Sequence, residues 1–188
     1  MHNLVKFRIN ILIILCQIVV LVGLAMGLHF GYVRSVIVTT CFWLLYMFLE
    51  ARYELYMNNF VRVMIGIVLV SDSFFGYYLE LYARSSVFDK ILHVFGTYAL
   101  SLFTYILVVQ LLNNPVNRPF KFILVICLGI SIGATYEIVE FFTDNISHPS
   151  LASQPSLLDT DLDLIGDVIG SVCAAIHATS RNFINQNF

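Results

Sequence analysis

The sequence predicts an all-α integral membrane bundle of about six transmembrane helices with both termini in the cytoplasm. Three observations lead there. Hydrophobic residues make up 59% of the 188 and charged residues 12%, against roughly 45–50% and ~25% in soluble domains. A mean hydropathy of +0.85 leaves too little polar surface to cover a water-soluble body of this size. The apolar residues also fall into runs of about 20, enough for a helix to cross a ~30 Å hydrocarbon core. These runs lie near 9–28, 35–49, 61–80, 91–112, 120–142 and 162–180, and 1–188 reads as a single transmembrane helical domain.

The first run follows Lys6 and Arg8, as a signal peptide would. Its length is about twice the usual 7–15 residues and no A-x-A site follows, so it reads as a retained helix. Gly23, Gly27 and Gly31 recur there at a spacing that permits close helix approach. The second run is short and extends through Glu50 and Arg52. Residues three or four apart share a helix face, and on each later run small residues share one with ionisable residues. The third places Asp72, Gly76 and Glu80 together, and the fourth Asp89, His93, Gly96 and Thr97. Gly129, Gly133, Glu137, Glu140 and Asp144 line up on the fifth; Asp163, Gly166, Asp167, Gly170 and Ala174 do so on the sixth. Tyr53, Tyr56, Tyr77, Tyr78, Tyr82 and Phe120 gather at run ends, as an interfacial belt requires.

Charge and cysteine usage exclude other classes. Ten Lys+Arg against twelve Asp+Glu, with no basic stripe, argue against a nucleic-acid partner. Cys16, Cys41, Cys127 and Cys173 lie within the apolar runs and form no C-x-x-C, so they read as small apolar fillers. Lys6, Arg8, Arg52, Arg62, Arg118, Lys121 and Arg181 fall on one side of a six-span topology, and Arg34, Arg84 and Lys90 on the other. That bias puts the termini in the cytoplasm.

The same topology gathers most of the acids at the outer face: Glu80, Asp89, Glu137, Glu140, Asp159, Asp161, Asp163 and Asp167, with Asp144 beside them. A charge at the bilayer centre costs about 2.5–3.5 kcal/mol on insertion scales. Carboxylates sharing a pocket repel, so some must be protonated, paired or bound to a cation. Arg84 and Lys90 cannot neutralise them all, whereas a divalent metal (zinc, manganese, magnesium or iron) suits one imidazole among carboxylates. His93, Glu137, Glu140, Asp163 and Asp167 are the candidate ligands. Glu137, Glu140 and Asp163 are the candidate catalytic groups. Asp89, Asp159 and Asp72 would orient the ligands.

Each residue also has a plainer reading. His93 could be a packing histidine, Asp89 a helix-start acid, and Glu137 and Glu140 interfacial residues facing headgroups. Asp159, Thr160 and Asp161 are N-cap types for the sixth run. Asp163 and Asp167 could be polar glue between helices, and Asp72 could be satisfied by Ser71 or Ser73. Asp159-Thr-Asp-Leu-Asp163 opens like an EF-hand, but Leu164 stands where that loop needs Gly and Gly170 where it needs Glu. No H-E-x-x-H, Walker loop or G-x-S-x-G occurs. His148, in the outer 143–161 loop, is a spare ligand.

Three ordered motifs carry a resemblance: Asp89-Lys90-Ile-Leu-His93 with Gly96, Gly133-Ala-Thr-Tyr-Glu137-Ile-Val-Glu140-Phe, and Asp159-Thr-Asp-Leu-Asp163-Leu-Ile-Gly-Asp167-Val-Ile-Gly170. Over roughly residues 60–175 they resemble the YjdF-like inner-membrane proteins of bacteria and, more loosely, VanZ-like proteins. The resemblance implies a small multi-span bundle in the bacterial cytoplasmic membrane. For the YjdF-like group it brings no activity. For VanZ-like proteins it brings a link to low-level glycopeptide resistance and hence to the cell envelope. Asp167 stands where those families usually carry Asn, which adds a negative charge.

Three functions compete on these grounds. One is a metal-dependent membrane enzyme at the extracytoplasmic face, a hydrolase of a lipid-linked or amphipathic envelope substrate. Another is a proton- or ion-coupled small transporter, since intramembrane carboxylates often mark ion paths. The third is a non-catalytic scaffold whose acids bind helices or a partner. Membrane lipids are the expected surroundings, and a homo-oligomer is compatible with each.

Overall fold

The computed structural model describes residues 2–27, 29–112, 116–149, 152–181 and 183, and contains no strand among them. Helices α1 (His2–Met26), α2 (Phe30–Tyr53) and α3 (Asn59–Val70) are followed by a π-helical stretch, Ser71–Tyr78, and a short α4 (Leu81–Arg84). Three long helices complete the chain: α5 (Phe88–Leu112), α6 (Arg118–Ser147) and α7 (Leu157–Ala178). The chain divides into two compact units, Met1–Ser85 and Ser86–Phe188.

Among the described residues, five segments are long and apolar enough to cross a membrane: Leu4–Met26, Phe30–Tyr53, Asn59–Tyr78, Phe88–Leu111 and Arg118–Ser147. The sequence count of about six includes α7, whose 22 residues carry four aspartates. As expected, α2 continues past Glu50 and Arg52. Large apolar side chains are exposed along the helices, among them Leu12, Val19, Val38, Ile123 and Ile138. A water-soluble surface avoids contiguous apolar patches of that extent, and lipid accommodates them. Buried hydroxyls fold back on their own helix: Thr40 donates to the Val36 carbonyl at 2.6 Å and Ser101 to Thr97 at 2.6 Å. Such bonds satisfy polar groups where no water is at hand.

Local signals set the boundaries. Asn58 and Asn117 accept from the Val61 and Phe120 N–H groups and so cap α3 and α6. For α7 the cap is Ser156, whose side chain accepts from Asp159 N–H at 3.2 Å. The helix therefore begins at Leu157, upstream of the Asp159–Asp161 caps expected from the sequence.

In the first unit, Val20, Leu24 and Val36 form a core with Tyr32, Phe74 and Tyr77 packed against it. A buried ion-pair cluster lies here too. Arg62 is fully buried and donates to Glu50 Oε1 at 2.5 Å, Glu50 Oε2 at 3.1 Å and Asn10 Oδ1 at 3.0 Å. Lys6 Nζ lies 3.1 Å from Glu50 Oε2. The sequence reading counted Arg62 as a loop cation, whereas it pairs with an acid twelve residues earlier. The π-helical stretch alters the third run. The Leu79 N–H reaches back five residues to the Phe74 carbonyl at 2.9 Å, which lengthens the step beyond that of an α-helix. The expected Asp72–Gly76–Glu80 stripe is broken as a result. Asp72 and Gly76 are buried, but Glu80 takes a left-handed backbone (φ 58°) after the stretch and accepts from Arg84 at 2.7 Å.

Within the second unit, α7 packs against both α5 and α6, and its small residues form the seam. A Cβ at Gly170 would strike the Val94 carbonyl oxygen and lie 3.0 Å from Tyr98 N. At Gly133 it would run into the Asp167 carboxylate, and at Gly129 into the Ser101 and Ser171 hydroxyls. Arg118 donates to the Thr179 carbonyl at 2.6 Å, placing a cation at the C-terminal end of α7.

Candidate metal centre

The seam brings three helices together around His93. Asp89, Lys90, His93 and Thr97 come from successive turns of α5, Glu137 and Glu140 from α6, and Asp159, Asp163 and Asp167 from α7. His93, Glu137, Asp163 and Asp167 are buried, Asp163 and Asp167 to 1% and 2% exposure.

The two nitrogens of His93 meet different surroundings. Nδ1 lies 3.2 Å from Asp167 Oδ1, which also accepts the Thr97 hydroxyl. Held to a carboxylate, Nδ1 is the nitrogen that would keep its proton in a neutral imidazole, which would leave the Nε2 lone pair for a cation. Nε2 faces Glu137 Oε1 at 3.7 Å, Asp89 Oδ1 at 3.8 Å and Asp163 Oδ1 at 3.8 Å. None of these contacts is a hydrogen bond.

Around the site, four buried carboxylate oxygens have no hydrogen-bond partner among the described residues: Glu137 Oε1, Glu140 Oε2, Asp163 Oδ1 and Asp167 Oδ2. Native interiors pair roughly 90% or more of such atoms. The local base is Lys90, whose Nζ lies 2.6 Å from Asp159 Oδ1, 2.6 Å from Asp163 Oδ2 and 3.2 Å from Asp89 Oδ2. One ammonium cannot balance six ionised carboxylates, so the others must be protonated, paired with His93 or bound to a cation. Ligand atoms of Asp89, His93 and Asp163 lie within 4.8 Å of one another, as do those of His93, Glu137 and Asp167, and either group could hold a metal ion.

Several partners carried no readable signal in the sequence. The Gln154 amide donates to the Glu137 carbonyl and to Glu137 Oε2, both at 2.8 Å. The Gln154 and Ser153 N–H groups are held in turn by the Asp144 carboxylate at 2.8 and 3.0 Å. Gln154 sits in an irregular loop, where periodicity says nothing about its neighbours. Tyr136 meets the His93 ring edge-on at 5.7 Å. Thr97 was legible as a member of the His93 stripe, but its bond to Asp167 crosses to another helix. His148 and Asp161 are exposed. Asp72 belongs to the first unit, where it accepts the Tyr82 hydroxyl at 2.7 Å.

The family model described as "Predicted membrane protein (DUF2238)" matches residues 6–182. The chain belongs to this family. DUF2238 is the YjdF-like group that the motifs resemble, and its match runs through both units. A Thermotoga maritima protein described as "Uncharacterized protein" is 32% identical over 109 residues. That alignment covers 58% of this chain and 56% of the relative, so the chain spans about half the length of the curated relative it matches. No solved structure matches this DUF2238 protein.

Proposed function

We propose that this DUF2238 protein is a metal-dependent hydrolase of the bacterial cytoplasmic membrane, acting at the extracytoplasmic face on an envelope lipid or another amphipathic substrate. The observation that carries the reading is the set of unpartnered, buried carboxylate oxygens that face Nε2 of one histidine. A bacterial relative supports the location, and an excess of Lys and Arg on the terminal side, five to three once the buried Arg62 and Lys121 are set aside, supports cytoplasmic termini. The outward face of α7 (Leu158, Leu162, Ile165, Val168, Ile169 and Ile176) is apolar and exposed, which supports a sixth crossing.

His93 Nε2, Asp89 and Asp163 would hold the ion, with Glu137 as a further ligand. Bonds of about 2.0–2.2 Å place neighbouring ligand atoms roughly 3–4 Å apart; Nε2 already lies 3.7–3.8 Å from each oxygen, and the Asp89 and Asp163 ligand atoms lie within 4.8 Å of one another. Asp167 and Thr97 fix the ring. A zinc, manganese, magnesium or iron ion held there would supply an activated water at neutral pH. Glu140, with one unpartnered buried oxygen, is the residue that would accept the proton of that water and return it to the leaving group of the bond hydrolysed.

Metal analysis of the purified protein, with Asp163→Asn and His93→Ala beside it, tests the reading. About one ion per chain, lost in both variants, is expected; sub-stoichiometric metal unchanged by either would overturn it. A second reading has its own support, because Lys90 ties α5 to α7 through Asp159 and Asp163 as a purely structural clamp. In that case neutralising the acids destabilises the fold, and added metal changes nothing.

A further inference from the structure

A groove of about 410 Å³ runs along the α5–α7 seam, lined by Lys90, Ile91, Val94, Phe95, Tyr98 and Cys173. From Lys90 to Tyr98 it spans roughly 12 Å at 1.5 Å per residue. Its walls are almost wholly apolar, and α5 here lies within a candidate membrane span. Hydrocarbon chains are therefore what surrounds it.

One end of the groove is not apolar. The stem of Lys90 lines it, while the ammonium reaches the acids of the candidate centre. Lys90, Asp89 and Asp159 form a partly exposed rim, their side chains 19%, 22% and 22% accessible. That rim alternates one cation with two anions beside an apolar trough. The contact of Lys90 with Asp89, at 3.2 Å, is its longest and the easiest to exchange.

We propose that the groove holds an acyl chain of a zwitterionic aminophospholipid whose phosphate lies on Lys90 and whose ammonium lies among Asp89 and Asp159. The phosphate replaces Asp89 on the Lys90 ammonium, and the released carboxylate meets the amine of the head group. An anionic lipid without an amine brings no positive charge to these acids, and its net negative charge is repelled by them. As a substrate assignment this rests on the hydrolase reading above; as a lipid site it stands on the groove and its rim.

The test is native mass spectrometry of the full chain exchanged into detergent micelles doped with phosphatidylethanolamine or phosphatidylglycerol. Wild-type protein is expected to retain one phosphatidylethanolamine in preference to phosphatidylglycerol. Cys173→Trp fills the groove from α7 and Ile91→Trp from α5; both positions are exposed, so neither indole has to enter the core. Retention should fall about tenfold in both variants, with metal content unchanged. Phosphatidylethanolamine held equally well by both variants, or no preference over phosphatidylglycerol, overturns the proposal. A wild-type chain that binds no metal yet loses phosphatidylethanolamine on Cys173→Trp supports the lipid site and removes the hydrolase reading.

Discussion

Replacing Gly170 by alanine tests the juxtaposition on which the candidate centre depends. The added methyl would strike the Val94 carbonyl oxygen and lie 3.0 Å from Tyr98 N and 3.1 Å from Val94 C. All three atoms are backbone, so no side chain can rotate away and the two helices must part. Overpacking of this kind costs about 1–3 kcal/mol, against which alanine returns roughly 0.5–1 kcal/mol over glycine inside a helix. The mid-range net loss of about 1 kcal/mol corresponds to a roughly fivefold shift toward the unfolded state. Equilibrium unfolding in mixed micelles reads it directly. Gly31→Ala, with nothing within 4 Å of the new carbon, is the control and should leave stability unchanged or slightly raised. A Gly170→Ala protein as stable as the wild type would mean that α5 and α7 do not touch there, and the ligand set would lose its frame.

Thr97→Val removes a donor to the buried Asp167 carboxylate; it should cost about 1–3 kcal/mol and weaken metal binding roughly 10–100-fold, read by metal titration against the same variant's unfolding curve. Arg62→Met leaves Glu50, almost fully buried, with Lys6 as its charged partner and should destabilise by about 3–5 kcal/mol. Arg62→Met with Glu50→Leu should recover most of that loss, and equal losses in the single and double variants would deny the pairing. Chelation should lower the stability of the metal-loaded protein by about 2.7 kcal/mol when the ion had been present at roughly 100 times its Kd. An unchanged melting temperature would count against bound metal.

What was legible followed regular α-helical periodicity. On α7 the i, i+4 spacing put Asp163, Gly166, Asp167, Gly170 and Ala174 on one face, and all five are buried. On the third run the same rule fails at Glu80, because the π-helical step after Val70 changes the angle between successive residues. Nothing in the sequence of Ser71–Tyr78 announces that change. Arg62 and Lys121 were read as loop cations from their places at run ends. Both are buried, Arg62 against Glu50 and Lys121 over the rings of Tyr105 and Phe183. A one-dimensional hydropathy profile cannot show that a terminal charge turns inward, because the partner that makes this favourable lies on another helix. Gln154 is the extreme case, since its place depends on a loop folded by Asp144.

The energetics of α7 connect its topology to the centre. On insertion scales the six outward apolar residues recover about 0.3–0.6 kcal/mol each, roughly 2–4 kcal/mol together. Asp163 and Asp167, if ionised near the core, cost about 5–7 kcal/mol between them. Unassisted, that face cannot carry the helix into lipid. On the proposed sixth crossing it would enter against α5 and α6, where Lys90 meets Asp163 and the Thr97 hydroxyl meets Asp167. The aspartates would then face the glycine-lined seam and not lipid, the missing side chains at Gly133, Gly166 and Gly170 giving them room. The same packing leaves Asp163 Oδ1 and Asp167 Oδ2 without a hydrogen-bond donor among the described residues. A cation at Nε2 would thus favour that insertion as well as the chemistry of the site, so metal loading should protect the α7 amides from hydrogen exchange more than those of α1.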